Sequence, residues 1–190
     1  MTSDRLIRIF LAVCLCLTFF LLTGCSVSYA EPIIFDETDF ILSDAQTENE
    51  AQRQITELLT QYFTDSDYGG MWTGNNGELC LGLVKTAPQY ENMISFLALA
   101  NDALENGGFH PIQTYEFDFT EQELLNQMDR LYETMNKNQI SYRSIVLDTQ
   151  NNRICIANDD VSFFYQMRLF FCTDLKYVTF QQTESAFFAA

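Results

Sequence analysis

The feature that most limits the fold of this chain is a pattern of helix and strand signals that occurs twice. In the first copy, a capping box of Thr47 and Glu50 begins an apolar stripe at helical spacing. The segment DYGGMWTGNNGELCLGLV then predicts a hairpin that turns at residues 75–77, because Asn and Gly favour tight turns. ENMISFLALANDALENGG predicts a second helix, and FHPIQTYEFDF predicts a strand.

The same order of signals returns in the second half of the chain. Thr120 and Glu123 form another capping box before a second apolar stripe. YRSIVLDTQNNRICIAN predicts a hairpin, DDVSFFYQMRLFF a short helix capped by Asp159 or Asp160, and LKYVTFQQ a closing strand.

The two copies correspond at a constant spacing. Placing Leu79-Cys80-Leu81 over Ile154-Cys155-Ile156 gives an offset of 75 residues and brings the two turns into register. We therefore predict a structural duplication: an α+β fold of two helix-hairpin-helix-strand repeats, residues 47–118 and 119–190. We expect an antiparallel sheet covered on one face by helices.

Residues 1–24 predict an export signal. Arg5 and Arg8 precede an apolar run that only Thr18 interrupts, and small residues end it, as in a secretory signal peptide. The run is shorter than the ~20 residues of a transmembrane helix, although an uncleaved anchor is the alternative. In both cases the positive start favours the cytoplasmic side, so we expect the rest of the chain outside the cytoplasm.

Leu22-Thr23-Gly24-Cys25 resembles the lipobox of bacterial lipoproteins. In that family the cysteine is diacylated through its sulfur and becomes the new N-terminus after cleavage, so the resemblance implies lipidation of Cys25. Two acyl chains give stable anchoring, whereas one chain binds a membrane only marginally. The expectation is a protein that is lipid-anchored to the cell membrane and faces the extracytoplasmic side. Residues 25–46 would be its acidic tether, with a short docking segment at residues 33–35.

Composition narrows the class of protein further. Hydrophobic residues make up 47% of the chain and include 17 Phe, so the chain can bury a core and disorder is not expected. The formal net charge of −16 repels phosphate backbones, so we expect no nucleic-acid partner. It suggests either a solvated acidic surface or a basic partner.

Three of the six cysteines remain once the leader and the lipidation candidate are set aside: Cys80, Cys155 and Cys172. Disulfides are permitted outside the cytoplasm. Because Cys80 and Cys155 occupy matching positions of the two repeats, a disulfide between them is our hypothesis. The alternative is that all three thiols are small buried apolar groups.

Residues that could carry chemistry do not form a recognisable constellation. The one histidine, His110, begins a predicted strand without a cysteine cluster or a second histidine nearby. DSDYGG, residues 65–70, imitates the start of a calcium loop, but Asn76 stands where the bidentate Glu would be needed. We therefore expect no catalytic residues, no metal site and no cofactor.

The segments YGGMWTGNNGELCLGLV and YRSIVLDTQNNRICIAN, each followed by a helix and a strand, resemble the pro-region modules of secreted chymotrypsin-like proteases of the α-lytic and streptogrisin type. The resemblance covers about residues 50–182. In that family the pro-region folds and inhibits its protease, and its C-terminal tail lies in the active site. We expect no protease domain to follow, so the resemblance implies only a role in trans, as an inhibitor or a binding protein.

The C-terminal segment TESAFFAA is a candidate contact for a partner protein. Phe187, Phe188, Ala189 and Ala190 would form an apolar end that could add a strand to a partner or enter a protease cleft. The alternative is that the two Phe side chains fold back on the core. We therefore expect a non-catalytic surface module that binds an extracellular protein and is protease-inhibitor-like, or else a structural envelope lipoprotein without a dedicated ligand.

Overall fold

A computed structural model describes residues 30–42, 45–171 and 173–183. The described elements confirm the predicted α+β fold and its order of helix, hairpin, helix and strand in both halves. The first half contains α1 (Glu48–Tyr62), β1 (Gly70–Thr73), β2 (Leu79–Leu83), α2 (Tyr90–Asn106) and β3 (Gln113–Glu116). The second half contains α3 (Glu121–Lys137), β4 (Ser144–Asp148), β5 (Arg153–Asn158), α4 (Phe163–Phe170) and β6 (Val178–Gln182).

Both predicted capping boxes are present. The Thr47 hydroxyl accepts a hydrogen bond from Glu50 N at 3.3 Å, and the Glu50 carboxylate accepts one from Thr47 N. Thr120 and Glu123 repeat this arrangement at the start of α3. Each pair satisfies amide groups that a helix leaves unpaired in its first turn, so the sequence fixes where α1 and α3 begin.

The cap of α4 differs from our expectation. Ser162, and not Asp159 or Asp160, is the N-cap residue, because its side chain accepts from Tyr165 N. Asp160 instead accepts a hydrogen bond from Ser162 N at 2.9 Å. Serine, like aspartate, can accept a hydrogen bond from an amide in the first turn of a helix. Because α4 begins at Phe163, Ser162 is the residue in position to do so.

The sheets correct the expectation of purely antiparallel pairing. They are three-stranded, in the orders β1-β2-β3 and β4-β5-β6. The hairpin strands pair antiparallel, but β3 pairs parallel with β2, and β6 pairs parallel with β5. A helix connects the strands of each parallel pair, and such a crossover returns the chain to the end of the sheet where the earlier strand began.

Each repeat buries its own apolar cluster. In the first, Leu59, Leu81 and Phe96 are among the fully buried side chains of α1, β2 and α2. In the second, Leu131 of α3 packs with Ile154 and Ile156 of β5. Ile154 and Ile156 are alternate residues of β5, so both side chains point to the same side of the sheet, as the two-residue period of a strand requires.

Part of the expected tether, residues 25–46, packs on the folded domain. Ile33 N donates to the Asn92 side chain at 3.1 Å, and the Phe35 ring lies 5.7 Å from the ring of Phe96. A 3-10 helix, Glu37–Phe40, then places Phe40 in the first core with only 5% of its surface exposed. The docking segment at residues 33–35 is therefore present, and residues 33–40 belong to the fold because Phe35 and Phe40 have core partners.

One buried amide contacts both repeats, because one of its three hydrogen bonds, to Gly69 O, reaches the first repeat. Asn152 is 1% exposed, and its Nδ2 donates to Gly69 O at 3.2 Å and to Phe119 O at 2.8 Å. Its Oδ1 accepts from Phe119 N at 2.9 Å. The residue has a φ of 52°, which asparagine tolerates better than most other side chains.

Candidate protein-binding site

Helix α4 has one face that is part of the second core. Tyr165 and Leu169 are buried there, four residues apart on the same side of the helix. The Tyr165 hydroxyl donates to Ser141 O at 2.9 Å, and its ring lies 6.3 Å from the ring of Phe180. These contacts fix the rotation of α4 about its own axis and so determine which residues it turns outward.

The opposite side of α4 is aromatic and exposed. Four Phe side chains form this outer face: Phe163, Phe164, Phe170 and Phe171 are 70%, 78%, 59% and 76% exposed. They are spaced seven residues apart in two pairs, which places them along one side of a helix. The rings of Phe163 and Phe164 lie 6.0 Å apart, and those of Phe170 and Phe171 lie 5.7 Å apart.

The extent of the outer face sets it apart from ordinary surface side chains. At roughly 200 Å² per Phe side chain, the four exposed fractions amount to about 570 Å² of apolar surface. The largest apolar patch on a typical monomer is about 300–600 Å² and is often functional. A helix that is apolar on both sides normally lies within a protein, so α4 has the composition of a helix that is covered twice.

The charges near the outer face are few and turned away from it. From residue 161 to residue 173 the sequence VSFFYQMRLFFCT contains no acid and one base, Arg168. The Arg168 guanidinium donates to Asn138 O at 3.2 Å, at the end of α3. The face therefore offers a partner apolar contact with few hydrogen-bonding groups of its own.

Acidic residues lie just before the helix. Asp159 forms an ion pair with Arg143 at 2.6 Å and accepts a hydrogen bond from the Thr183 hydroxyl at 2.7 Å. These two contacts, the Thr183 hydrogen bond first, hold the pKa of the Asp159 carboxyl below its usual range. Asp159 is therefore ionised at neutral pH, and its charge is balanced by Arg143.

The sequence predicts helix α4, but its pattern does not indicate which side of the helix is exposed. The available signal was a 13-residue segment with aromatic residues on both sides of a helix, instead of one apolar stripe. Periodicity alone could not show which side the core would cover.

The residues that we expected to carry function have different outcomes. Cys25, Cys172 and the partner-binding candidates Phe187, Phe188, Ala189 and Ala190 lie outside the described residues, so those expectations stay predictions. Cys80 and Cys155 are free thiols, one in β2 and one in β5. The hypothesis that they pair is not met, because each lies in the middle strand of its own sheet.

His110 and the DSDYGG segment have structural roles. The His110 ring is mostly exposed, and its Nδ1 lies 3.4 Å from the Glu48 carboxylate. Asp67 accepts hydrogen bonds from the Thr64 amide and hydroxyl, while Asp65 accepts one from the Tyr68 hydroxyl at 2.9 Å. Over residues 30–42, 45–171 and 173–183, no three His, Cys, Asp or Glu side chains form a group that could hold a metal ion.

Comparison with known proteins assigns no family. Neither a protein-family model nor a curated protein matches the chain. None of the helices within the described ranges has the length and apolar character needed to cross a membrane.

Proposed function

We propose that this protein is a non-catalytic binding module, anchored by lipid on Cys25 at the outer side of the cell membrane, that binds an extracellular protein through the outer face of α4. The observation that carries the proposal is the side-by-side exposure of four Phe side chains on a helix whose other face is core. Burying such surface is favourable at about 25 cal/mol per Å², so a partner that covers it gains a large apolar contribution.

The composition of this face favours a protein contact. Aromatic residues are enriched in protein interfaces, and charged residues are depleted from their centres. The outer face has both properties, whereas the chain as a whole has a formal charge of −16. An apolar centre with charged residues of both signs beyond its ends is the arrangement of a binding site with a polar rim.

The anchor is supported by the leader sequence. Leu22-Thr23-Gly24-Cys25 follows a positively charged start and a short apolar run. A lipid on Cys25 would keep the domain at the membrane. Replacing Cys25 with Ala should abolish labelling by a fatty-acid probe, and unchanged labelling would contradict the anchor.

The experiment that tests the binding function is a cross-linked pull-down from intact cells, read by mass spectrometry. The test variant is Phe164→Ser/Phe171→Ser, which removes two exposed rings without touching the core. The matched control is Ile34→Ser/Ile41→Ser, which removes two apolar side chains that are 94% and 63% exposed elsewhere on the surface. A third variant lacks residues 184–190.

The proposal predicts a partner that is captured by the wild type and the control but lost with the Phe variant, at an unchanged melting temperature. If the partner is lost only when residues 184–190 are removed, the binding site is the C-terminal tail and not α4. A secreted protease as that partner would then support the inhibitor-like role. Capture of the same proteins by all four chains would refute binding through α4. No partner in any sample would favour a structural envelope lipoprotein.

A further inference from the structure

We infer that residues 184–190, which lie outside the described residues, cover the outer face of α4, and that a partner protein has to displace them. The inference rests on the proposed function and adds a regulation of the same site. It follows from where the chain leaves the second repeat, from the reach of the residues that come next and from their composition.

The chain leaves β6 beside the start of α4. Strand β6 runs parallel to β5, and the pairing of the two strands ends at Asn158. Thr183 N donates to Asn158 O at 2.9 Å, and the Thr183 hydroxyl donates to the Asp159 carboxylate at 2.7 Å. Because β5 ends there, it offers residues 184–190 no further strand to pair with. Thr183 is held instead at Asp159, four residues before Phe163, the first ring of the outer face.

The residues after Thr183 are long enough to reach the outer face. An extended chain covers about 3.3 Å per residue, so Phe187 can lie up to about 13 Å from Thr183. Phe163 is also four residues from Asp159 and lies within the same distance of it. Phe187 and Phe188 can therefore contact the first pair of rings on α4, and the residues after them can extend towards the second pair.

The segment ESAFFAA, residues 184–190, matches the outer face in composition. Its one charged residue, Glu184, stands at its start, and the residues after Ser185 are apolar. The outer face likewise consists of Phe rings with few hydrogen-bonding groups. Contact between the two would therefore remove apolar surface from water on both sides without burying a charge, and it would allow favourable pairs of aromatic rings.

The covalent link favours this segment over a second copy of the chain. Two parts of one chain that are joined by a short linker meet at an effective concentration in the millimolar range. A contact too weak to hold a separate molecule can therefore keep the face covered for much of the time and still give way to a partner. If the face is uncovered in about one third of the molecules, the apparent affinity of a partner falls about threefold.

The first test places a photo-crosslinking phenylalanine analogue at position 188 of the full-length protein in intact cells. After irradiation the protein is purified, and its cross-linked peptides are identified by mass spectrometry. The expected product joins residues 184–190 to residues 163–171 of the same chain. Its yield should fall at least threefold in Phe163→Ser/Phe164→Ser and stay unchanged in the Ile34→Ser/Ile41→Ser control.

The same cells carry two differently tagged copies of the chain, so that contacts within one chain and between chains can be separated. A product that joins the two tags at α4 would assign the outer face to a second copy and overturn the inference. A product with another part of the chain, or no product within the chain, would overturn it as well.

The second test measures the cover from the side of α4. Phe164→Trp places an indole on the outer face of the purified protein in phosphatidylcholine nanodiscs, and acrylamide quenches its fluorescence. The wild type gives the contribution of Trp72, its single tryptophan. Adding Phe187→Ser/Phe188→Ser should raise the quenching constant of the new tryptophan at least twofold. Equal constants would overturn the inference: high values mean that the face is bare, and low values mean that something else, such as the bilayer, covers it.

The consequence for the partner is measured in the cell pull-down. Phe187→Ser/Phe188→Ser should capture about threefold more of the α4 partner than the wild type, because no segment has to be displaced. Unchanged or reduced capture would overturn the regulation. The first two tests need no partner, so a bare face would leave the proposed function intact. The absence of any captured partner would count against that function without removing the contact within the chain.

Discussion

Replacing Asn152 with alanine would remove a buried amide that makes two hydrogen bonds within the second repeat and one to the first repeat. Three hydrogen bonds would be lost, to Gly69 O and to the N and O atoms of Phe119. At about 1 kcal/mol per hydrogen bond, their loss costs about 3 kcal/mol. Alanine at a φ of 52° adds about 1 kcal/mol of backbone strain. The expected decrease in the free energy of unfolding is therefore about 4 kcal/mol, a large part of the stability of an ordinary domain.

Urea unfolding followed by circular dichroism measures this decrease, with two comparison variants. Asn152→Gly relieves the backbone strain and should lose about 3 kcal/mol, the hydrogen-bond part alone. Asn151→Ala changes the neighbouring exposed asparagine, which bonds only to Asp148, and should lose less than about 1 kcal/mol. Equal stability of Asn152→Ala and Asn151→Ala would refute the stabilising role of the buried Asn152 amide.

Three further changes test other parts of the fold. Gly82→Ala places a Cβ atom against the Phe117 ring and should lower the free energy of unfolding by about 1–3 kcal/mol, measured by thermal denaturation. In a Phe117→Ala background, where the ring is absent, the same substitution should cost much less. Thr120→Ala removes the cap of α3 and should cost about 1 kcal/mol in urea unfolding, whereas Thr120→Ser should cost less than half of that. Glu121→Gln should be more stable than the wild type at pH 7. Burial first, and the Asp65 carboxylate second, raise the pKa of Glu121, so its ionisation lowers stability as the pH rises through the folded pKa. This advantage should vanish below about pH 4, and unfolding curves with the same pH dependence in both proteins would contradict it.

Local features of the fold could be predicted because their signals lie within a few residues of each other. The capping boxes at Thr47 and Thr120, the hairpin turns and the apolar stripes depend on contacts at short sequence separation. The direction of β3 and β6 depends on pairing across a whole helix, and the prediction of antiparallel sheet treated every strand as part of a hairpin.

Equivalent positions in the two repeats need not be neighbours in space. Cys80 and Cys155 correspond in the two repeats because each is paired across the hairpin, Cys80 with Trp72 of β1 and Cys155 with Val146 of β4. Correspondence places them at the same position in two separate sheets, and a disulfide needs Cα atoms within about 7 Å. The duplication therefore predicts that the two cysteines have similar surroundings, but it does not predict that they contact each other.

The exposure of the outer face of α4 could not be predicted from the sequence for a different physical reason. Apolar periodicity shows which residues can be buried together, but α4 has Tyr165 and Leu169 on one side and four Phe on the other. Only the packing of the second core shows that the Tyr165 side faces inward. The candidate site is therefore a property of the tertiary fold, whereas the lipidation of Cys25 and the contact role of Phe187 and Phe188 stay predictions of the sequence.

The central claim is that the outer face of α4 contacts a partner protein in the cell. The most direct measurement places a photo-crosslinking phenylalanine analogue at position 164 and, as a control, at position 34, where the wild-type Ile34 is 94% exposed. Irradiation of intact cells should give a discrete cross-linked protein from position 164 and none from position 34. The same products from both positions, or none from either, would contradict a binding site on α4.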